Sequence, residues 1–176
     1  MVHSYENKKP DIERAAFIAP NAEVIGDVIM EEGSSAFFGA QIRGDIGAIR
    51  IGKNTNIQDN SVLHISSDVP CTVGDTVTVG HNAILHSCTI EENCVVGMGA
   101  IILDRAVIQR DSIVGAGALV TGGKTFPPRS LILGSPAKAV RQLSDEEVEE
   151  SRIHTLRYVE TACITAESVG RGTEPV

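Results

Sequence analysis

The sequence has 176 residues, the length of one domain with a sizeable core. It is 42% hydrophobic and 22% charged, and no apolar run is long enough to span a membrane. The formal net charge of −8 argues against nucleic acid or an anionic membrane as the main partner. The opening residues, MVHSYENKKP, lack the apolar core of a signal peptide, so we expect a cytoplasmic protein.

A short N-terminal segment, residues 1–12, precedes a repeat with a period of six residues that occupies residues 13–143. A small residue follows most of the repeating apolar residues four positions later, as Ala100 follows Val96. Amphipathic helices repeat about every 3.6 residues and flat strands about every 2, so this period indicates neither. The apolar runs are Ile18, Val24, Met30, Ala36 and Ile42; Ile51, Ile57 and Leu63; Val73 and Val79; and Ile84, Ile90, Val96, Ile102, Ile108, Val114 and Val120.

A period of six is typical of a parallel β-helix, in which each hexad forms one short strand and one corner. Three hexads complete a triangular coil, so residues about 18 apart should lie one above the other. The predicted fold class is therefore all-β. The ten residues from Leu63 to Val73 leave a four-residue loop within residues 65–71, and the five-residue step from Val79 to Ile84 predicts a slip of register.

Two histidines lie on either side of this loop. His64 and His86 each follow a leucine, and the 22 residues between them equal one coil of about 18 residues plus the four-residue loop. They should therefore occupy the same place on successive coils, about 4.8 Å apart like neighbouring strands. At that distance both imidazoles could bind one metal ion.

A third histidine, His81, lies about one edge of the triangle away from His86, where a rigid chain cannot easily direct it to the same ion. Around a three-fold axis it could face the histidine pair of the next subunit, which predicts a homotrimer. Three imidazoles with an open fourth position are the pattern of a catalytic zinc site, and Fe²⁺ or Co²⁺ would accept the same ligands. The alternative is that these are ordinary surface histidines, as we expect for His3 and His154.

Polar residues stand near the predicted site where the repeat would tolerate simpler ones. The segment IRGD places Arg43 and Asp45 one coil below the first histidine, where they could pair across a subunit interface or be ordinary surface charges. The segment NIQD places Asn56, Gln58 and Asp59 just before that histidine. A Gln or Asp in this position could orient a bound hydroxide or a substrate oxygen.

The repeat ends near Lys124, where three prolines in TFPPRS and GSPAK break the coil. Ser144 and Glu147 have the spacing of a capping box, so a helix over residues 144–166 should follow. Residues 167–176, rich in Gly, Thr and Ser, are predicted to form a disordered tail. The helix should pack on the β-helix through Val148, Ile153, Leu156, Val159 and Cys163.

These segments together resemble the gamma-class carbonic anhydrase family. The resemblance covers residues 10–165 and rests on the hexads, the histidines at 64, 81 and 86, the C-terminal helix, and the segments IRGD (42–45), NIQD (56–59) and GSPAK (134–138). It implies a left-handed parallel β-helix with a C-terminal α-helix packed on it. It also implies a homotrimer with a metal site, occupied by Zn²⁺, at each subunit interface.

The family pattern implies that the ligands of each site are His64 and His86 of one subunit and His81 of its neighbour. The implied activity is that of a carbonate dehydratase, a lyase that reversibly hydrates CO₂ to bicarbonate. Its substrate is thus a small molecule.

The resemblance also implies roles for five other residues. Arg43 and Asp45 would form an ion pair between subunits. Gln58 would position the hydroxide on the metal, with Asp59 in support, and Tyr158 on the helix would reach toward the site.

The sequence departs from the family pattern at positions that concern proton transfer. The founding enzyme carries an acidic proton-shuttle residue just after the arginine–aspartate segment, where this chain has Ile46. Its acidic loop after the first metal histidine is replaced here by ISSDVP (65–70), and its asparagine one turn before the tyrosine is His154. Because proton export limits a fast hydratase, these changes bear on turnover and leave the metal ligands intact. The chain thus resembles a shorter, loop-trimmed branch whose members vary in activity.

Two other functions fit parts of the sequence. Many β-helix trimers transfer acyl groups from coenzyme A, and GSPAK resembles the motif that ends their coils. Those enzymes generally use one catalytic histidine and need no set of three. The remaining hypothesis is a non-catalytic trimer that binds metal or serves as a scaffold.

Overall fold

The chain folds into a parallel β-helix followed by one α-helix, which confirms the predicted architecture. The computed structural model describes residues 1–66 and 69–171, with only the backbone at position 171. Short strands alternate with tight corners, and asparagines occupy several corners at positive φ angles, among them Asn54, Asn60, Asn82 and Asn93. Asparagine tolerates this left-handed conformation better than most residues, which explains its recurrence at the corners.

The described residues form nineteen strands, most of them two or three residues long. In chain order they are β1 (Val2–His3), β2 (Phe17–Ile18), β3 (Glu23–Met30), β4 (Ser35–Ala36), β5 (Gln41–Ile51), β6 (Asn56–Ile57), β7 (Val62–His64), β8 (Cys71–Val73), β9 (Thr78–Val79), β10 (Ile84–His86), β11 (Thr89–Ile90), β12 (Val95–Val96), β13 (Ile101–Ile102), β14 (Val107–Ile108), β15 (Ile113–Val114), β16 (Leu119–Val120), β17 (Thr125–Phe126), β18 (Ser130–Gly134) and β19 (Ala137–Gln142).

The strands stack into three faces. The first face carries β7, β10, β13 and β16, and the second carries β8, β11, β14 and β17. Both belong to one sheet, because β5 pairs with β7 at its start and with β8 at its end and so crosses the corner between them. The third face is a separate sheet in which β2, β4, β6, β9, β12, β15 and β18 run parallel and β19 pairs antiparallel with β18.

Small residues fill the inward corner positions of the repeat. A triangular coil leaves little room at its corners, so thin side chains are needed there while larger apolar residues fill the strands. Each of the predicted small positions is at most 1% exposed: Ala22, Ser34, Ala40, Thr55, Ser61, Ala83, Cys88, Cys94, Ala100, Ala106, Ser112 and Ala118.

The predicted slip of register lies one step later than the sequence suggested. Leu85 is fully buried, whereas Ile84 is 37% exposed. The interval of six residues therefore continues from Val79 to Leu85, and the short interval separates Leu85 from Ile90. Assigning Ile84 to the inward series was wrong because either of two adjacent apolar residues satisfies the pattern, and the alternation of side chains along β10 decides which points inward.

The four-residue insertion lies where the spacing predicted. Leu63 pairs with Leu85 although 22 residues separate them. Ser66 and Val69 form an antiparallel bridge at the base of the insertion. Residues 67 and 68 lie outside the described residues.

Residues 1–12 extend the β-helix rather than standing apart from it. β1 pairs with β3, and Asp11 forms a bridge to Ile29. The N-terminal segment therefore covers the edge of β3 that would otherwise leave unpaired backbone groups.

The C-terminal helix, α1, runs from Asp145 to Arg171. Its capping box is confirmed, since the N–H of Glu147 donates to Oγ of Ser144 and the N–H of Ser144 donates to Oε2 of Glu147, at 3.3 and 2.9 Å. The predicted end at residue 166 was wrong: residues 167–171, assigned to a disordered tail, are helical. Val169 packs against the core, which favours continuing the helix. Residues 172–176 lie outside the described residues.

The helix packs on the β-helix through a face that matches the prediction in part. Val148, Leu156 and Val159 are half-buried, and the helix also packs through residues that were not predicted. Its inward residues are Thr155, Tyr158, Ala162, Ala166 and Val169. Ile153 and Cys163, which were expected to pack inward, are exposed. The small residues of the inward face let the helix lie close to the sheet, a preference that hydrophobicity alone does not reveal. No helix in the described part of the chain is long and apolar enough to cross a membrane.

Candidate metal centre

Two histidines face each other across adjacent strands of the first face. His64 ends β7 and His86 ends β10, and the two residues are register partners. Nδ1 of His64 lies 3.1 Å from Nε2 of His86, and the ring centroids are 5.2 Å apart. The predicted stacking of these residues on successive coils is confirmed.

A carboxylate flanks the histidine pair on each side. Oδ1 of Asp45 lies 3.2 Å from Nε2 of His64, and Oδ1 of Asp104 lies 2.6 Å from Nδ1 of His86. These four residues, here named the histidine-pair cluster, form a column that rises along the first face. In each ring one nitrogen contacts a carboxylate and the other faces the second histidine. A carboxylate in this position fixes the tautomer and orientation of a metal-binding imidazole.

The two facing nitrogens have a separation that suits a shared metal ion. Two imidazoles bound to one tetrahedral zinc at about 2.0–2.1 Å each would place their nitrogens about 3.3 Å apart. The 3.1 Å separation of Nδ1 of His64 and Nε2 of His86 is close to that value. The pair therefore fits two of the ligand positions of a zinc site.

Asp45 also connects the pair to Arg43, whose Nη1 donates to Oδ2 of Asp45. Burial works against ionisation of Asp45, but the N–H of Ile46 and the side chains of Arg43 and His64 outweigh it, so the pKa of Asp45 lies below its usual value. The structure thus shows an Arg43–Asp45 ion pair within one chain, and the ion pair between subunits that the resemblance implied stays a prediction. Residues two apart on a strand share a face, which makes the internal pair possible.

His81 lies after β9 and does not join the histidine pair. Its Nδ1 is 2.8 Å from Oδ2 of Asp59, and both side chains are 36% exposed. Across residues 1–66 and 69–171, no three His, Cys, Asp or Glu side chains of one chain gather as a metal-binding group. One chain therefore brings together two of the three predicted ligands and leaves the third elsewhere.

The residues predicted to assist the metal lie near His81. Gln58 is buried and lines a groove of about 280 Å³ together with Tyr158 and His154. Asp59, the next residue after Gln58, contacts His81. We name Gln58, Asp59, His81 and Tyr158 the His81 cluster.

Tyr158 reaches this cluster from α1. Its ring packs edge-on against Phe37 and His154, with centroids 5.9 and 5.4 Å apart. Burial, and then the negative charge of Asp59, raise the pKa of Tyr158. The phenol is therefore neutral at physiological pH and retains a proton to donate.

Asp104 is the member of the histidine-pair cluster that sequence reasoning missed. It follows β13, which stacks on β10, and lies 18 residues after His86. That distance is one coil of the repeat, so the spacing that placed the two histidines together could have found Asp104 as well.

A family model described as bacterial transferase hexapeptide (six repeats) matches residues 87–122. A carbonic anhydrase of Geobacillus kaustophilus is 46% identical over 160 residues, which cover 91% of this chain and 88% of that protein. Gamma carbonic anhydrase 2, a mitochondrial protein of Arabidopsis thaliana, is 39% identical over 176 residues, which cover 97% of this chain and 63% of that protein. This chain thus spans less than two thirds of the plant protein.

Other similar proteins have different descriptions. The carnitine operon protein CaiE of Escherichia coli K12 is 39% identical over 158 residues, which cover 89% of this chain and 80% of that protein. A solved Bacillus cereus structure with a provisional acetyltransferase assignment has a TM-score of 0.91 and 42% identity, and the match covers 94% of this chain and 96% of that chain.

The parallel β-helix and its hexads define a hexapeptide-repeat protein. Within that class, the chain belongs to the gamma-class carbonic anhydrase family.

Proposed function

We propose that the protein is a metal-dependent carbonic anhydrase that reversibly hydrates CO₂ to bicarbonate. It would act as a homotrimer, with a Zn²⁺ site at each subunit interface. The proposed ligands are His64 and His86 of one subunit and the partner subunit's His81. The same imidazoles would also accept Fe²⁺ or Co²⁺.

The observation that carries the proposal is the geometry of the histidine pair. Asp45 and Asp104 contact the outer ring nitrogens, at 3.2 and 2.6 Å. An N–H at each outer nitrogen leaves the inner nitrogen with a free lone pair, which is the form that binds a metal. A surface histidine with no such role needs neither a facing imidazole nor a carboxylate on its far side.

The bound metal would lower the pKa of a coordinated water to about 7 and supply hydroxide at neutral pH, as it does in carbonic anhydrases. Asp45 and Asp104 hold the two rings in place. Gln58 and Tyr158 line the groove beside His81, which a neighbouring subunit would bring to the metal, and there they would form hydrogen bonds with the substrate. Arg43, bonded to Asp45, offsets the negative charge of one of the two carboxylates beside the histidines.

A trimer follows from the separation of the two clusters. The histidine pair needs a further imidazole, and His81 of the same chain contacts Asp59 away from the pair. His81 is one-third exposed, so a second subunit can approach it. Closed three-fold symmetry would then bring each His81 cluster to the histidine-pair cluster of a neighbour, which completes all sites at once.

A coenzyme A-dependent acyltransferase is the second candidate, favoured by the close likeness of the fold to the Bacillus cereus structure. That function would need a single histidine as general base. It gives no reason for two histidines to turn their free nitrogens toward each other. A metal-binding scaffold without catalysis is the third candidate.

Metal analysis and stopped-flow CO₂ hydration separate these functions. We expect protein purified without chelator to hold about one metal ion per chain and to hydrate CO₂, and His81→Ala to lose both properties. Hydration by metal-loaded wild type no faster than by His81→Ala would contradict the enzymatic function. Metal-free wild type that acetylates an amine or hydroxyl acceptor from acetyl-coenzyme A would favour the acyltransferase.

A further inference from the structure

Four buried polar side chains form a hydrogen-bonded chain between Gln58 and α1. Nε2 of Gln58 donates to Oδ1 of Asn56 at 3.2 Å, and Nδ2 of Asn56 donates to Oγ1 of Thr78 at 2.9 Å. The hydroxyls of Thr78 and Thr155 are 2.9 Å apart, and Thr155 donates to the carbonyl oxygen of Ser151 at 3.1 Å. Gln58, Asn56, Thr78 and Thr155 are each at most 3% exposed.

The helix sets the donor and the acceptor of every hydrogen bond in this four-residue network. A carbonyl oxygen can only accept, so the single hydroxyl proton of Thr155 is committed to Ser151. Thr78 must therefore donate to Thr155, which leaves Thr78 to accept from the amide nitrogen of Asn56. The amide oxygen of Asn56 then faces Gln58 and accepts from its nitrogen. The carbonyl oxygen of Gln58, Oε1, consequently lies on the side away from Asn56.

This orientation matters because Gln58 lines the groove beside the His81 cluster. An amide can present either an acceptor or a donor, and the two ends differ little in shape. The hydrogen-bond network engages Nε2 of Gln58 with Asn56 and so leaves Oε1 as the acceptor of this side chain. An acceptor suits an O–H group, such as that of bicarbonate, and would repel a bare carboxylate oxygen.

Thr155 differs from the other hydroxyl residues of α1. Thr161 makes the same bond to the carbonyl four residues earlier, Oγ1 of Thr161 to the oxygen of Arg157 at 3.0 Å, but its side chain is exposed. Thr155 makes this bond and also contacts the third face of the β-helix through Thr78. Thr161 is therefore a matched control for a substitution at Thr155.

We propose that Thr155 is a positioning residue which, through Thr78 and Asn56, holds Gln58 as a hydrogen-bond acceptor toward an O–H group bound in the groove. The inference rests on the proposed carbonic anhydrase function for the identity of that group. Valine at position 155 has the shape of threonine but cannot accept from Thr78. The hydroxyl of Thr78 could then turn toward Asn56, and both amides could rotate.

The test compares Thr155→Val with Thr161→Val and Thr155→Ser in the full chain. The first readout is the side-chain amide signals of Gln58 in ¹H–¹⁵N spectra, identified by their loss in Gln58→Leu. We expect these signals to shift in Thr155→Val and to stay at their wild-type positions in the other two variants. Thr78→Val, which interrupts the chain from the strand side, should give a similar shift and replaces Thr155→Val if that variant does not fold.

The second readout is CO₂ hydration with metal content measured on the same samples. We expect Thr155→Val to lower kcat by about tenfold at unchanged metal content, and Thr155→Ser to retain activity. Unshifted Gln58 signals in both Thr155→Val and Thr78→Val would overturn the proposal, whether or not the wild type hydrates CO₂. If the Gln58 signals shift in Thr155→Val but this variant hydrates CO₂ as fast as Thr161→Val does, the acceptor role of Gln58 is overturned. A wild-type protein that does not hydrate CO₂ would instead contradict the proposed function itself.

Discussion

Asp104 connects His86 to the coil that follows it. Its hydrogen bond with His86 is the main cause that lowers the pKa of Asp104; burial opposes the shift and Ser66 supports it. The carboxylate is therefore an anion at neutral pH and accepts the proton on Nδ1 of His86. The opposite nitrogen, Nε2, is left to face His64.

Asp104→Ala should weaken metal binding by about 10–100-fold, because His86 would lose the group that fixes its tautomer and ring orientation. Competition of the protein with a chromophoric chelator for Zn²⁺ measures this change. Glu32→Ala, which removes an exposed carboxylate away from the histidines, is the control and should bind metal as the wild type does. Equal affinities for Asp104→Ala and the control would show that the contact has no positioning role.

The strand β10 shows how a single residue position decides what faces the core. Leu85 points inward and Ile84 outward, although both are large apolar residues. Leu85→Ala should lower the free energy of unfolding by about 2–5 kcal/mol, because it leaves a cavity in a closely packed coil. Ile84→Ala should cost much less. Urea unfolding of both variants measures the difference, and equal losses would contradict the register of β10.

The hexads predicted the strands and the small corner residues, but they did not always predict which of two adjacent residues points toward the core. A period of six locates the inward residue to within one position, and at Ile84 and Leu85 the pattern accepts both. The helix posed a similar ambiguity. Its inward face carries Thr155 and Ala162, which are small enough to let the helix lie close to the sheet. A search for large apolar residues selects the exposed Ile153 instead.

The start of α1 carries an interaction that should depend on pH. Arg141 donates two hydrogen bonds of 2.7 Å to Glu147, which is also bonded by the N–H of Ser144. These contacts, with Arg141 the larger cause, lower the pKa of Glu147 from its usual 4.5 to about 2. A lowered pKa means that the ionised carboxylate stabilises the fold. That contribution is complete above pH 4.5 and is lost as the pH falls through 2.

Glu147→Gln should therefore lower the melting temperature at pH 7, and the difference from wild type should shrink between pH 4.5 and pH 2. Thermal unfolding at a series of pH values checks this. Glu150→Gln on the same helix is exposed and serves as the control, with no comparable loss expected at pH 7. A difference between Glu147→Gln and wild type that stayed constant with pH would indicate a packing effect instead.

At the scale of the molecule, each chain carries two parts of the proposed site on different faces. The histidine pair could be predicted because one coil plus the insertion gives the 22-residue spacing between His64 and His86. The contact of His81 with Asp59 could not, since it depends on side-chain rotamers at an exposed corner. The homotrimer and the cytoplasmic location stay predictions.

Subunit complementation tests the shared site most directly. His81→Ala keeps His64 and His86, whereas His86→Ala keeps His81. If the two variants are unfolded together and refolded as a mixture, one interface can combine the histidine pair of the first variant with His81 of the second. Random assembly would complete about a quarter of the sites. The matched control is His64→Ala mixed with His86→Ala. Each of these variants lacks one histidine of the pair, so no interface can hold all three ligands.

The decisive measurement is CO₂ hydration by these two mixtures, with bound metal determined in parallel. The first mixture should regain about a quarter of the wild-type activity and metal, and the control mixture should regain neither. No recovery in the first mixture, or equal recovery in both, would contradict a site divided between subunits.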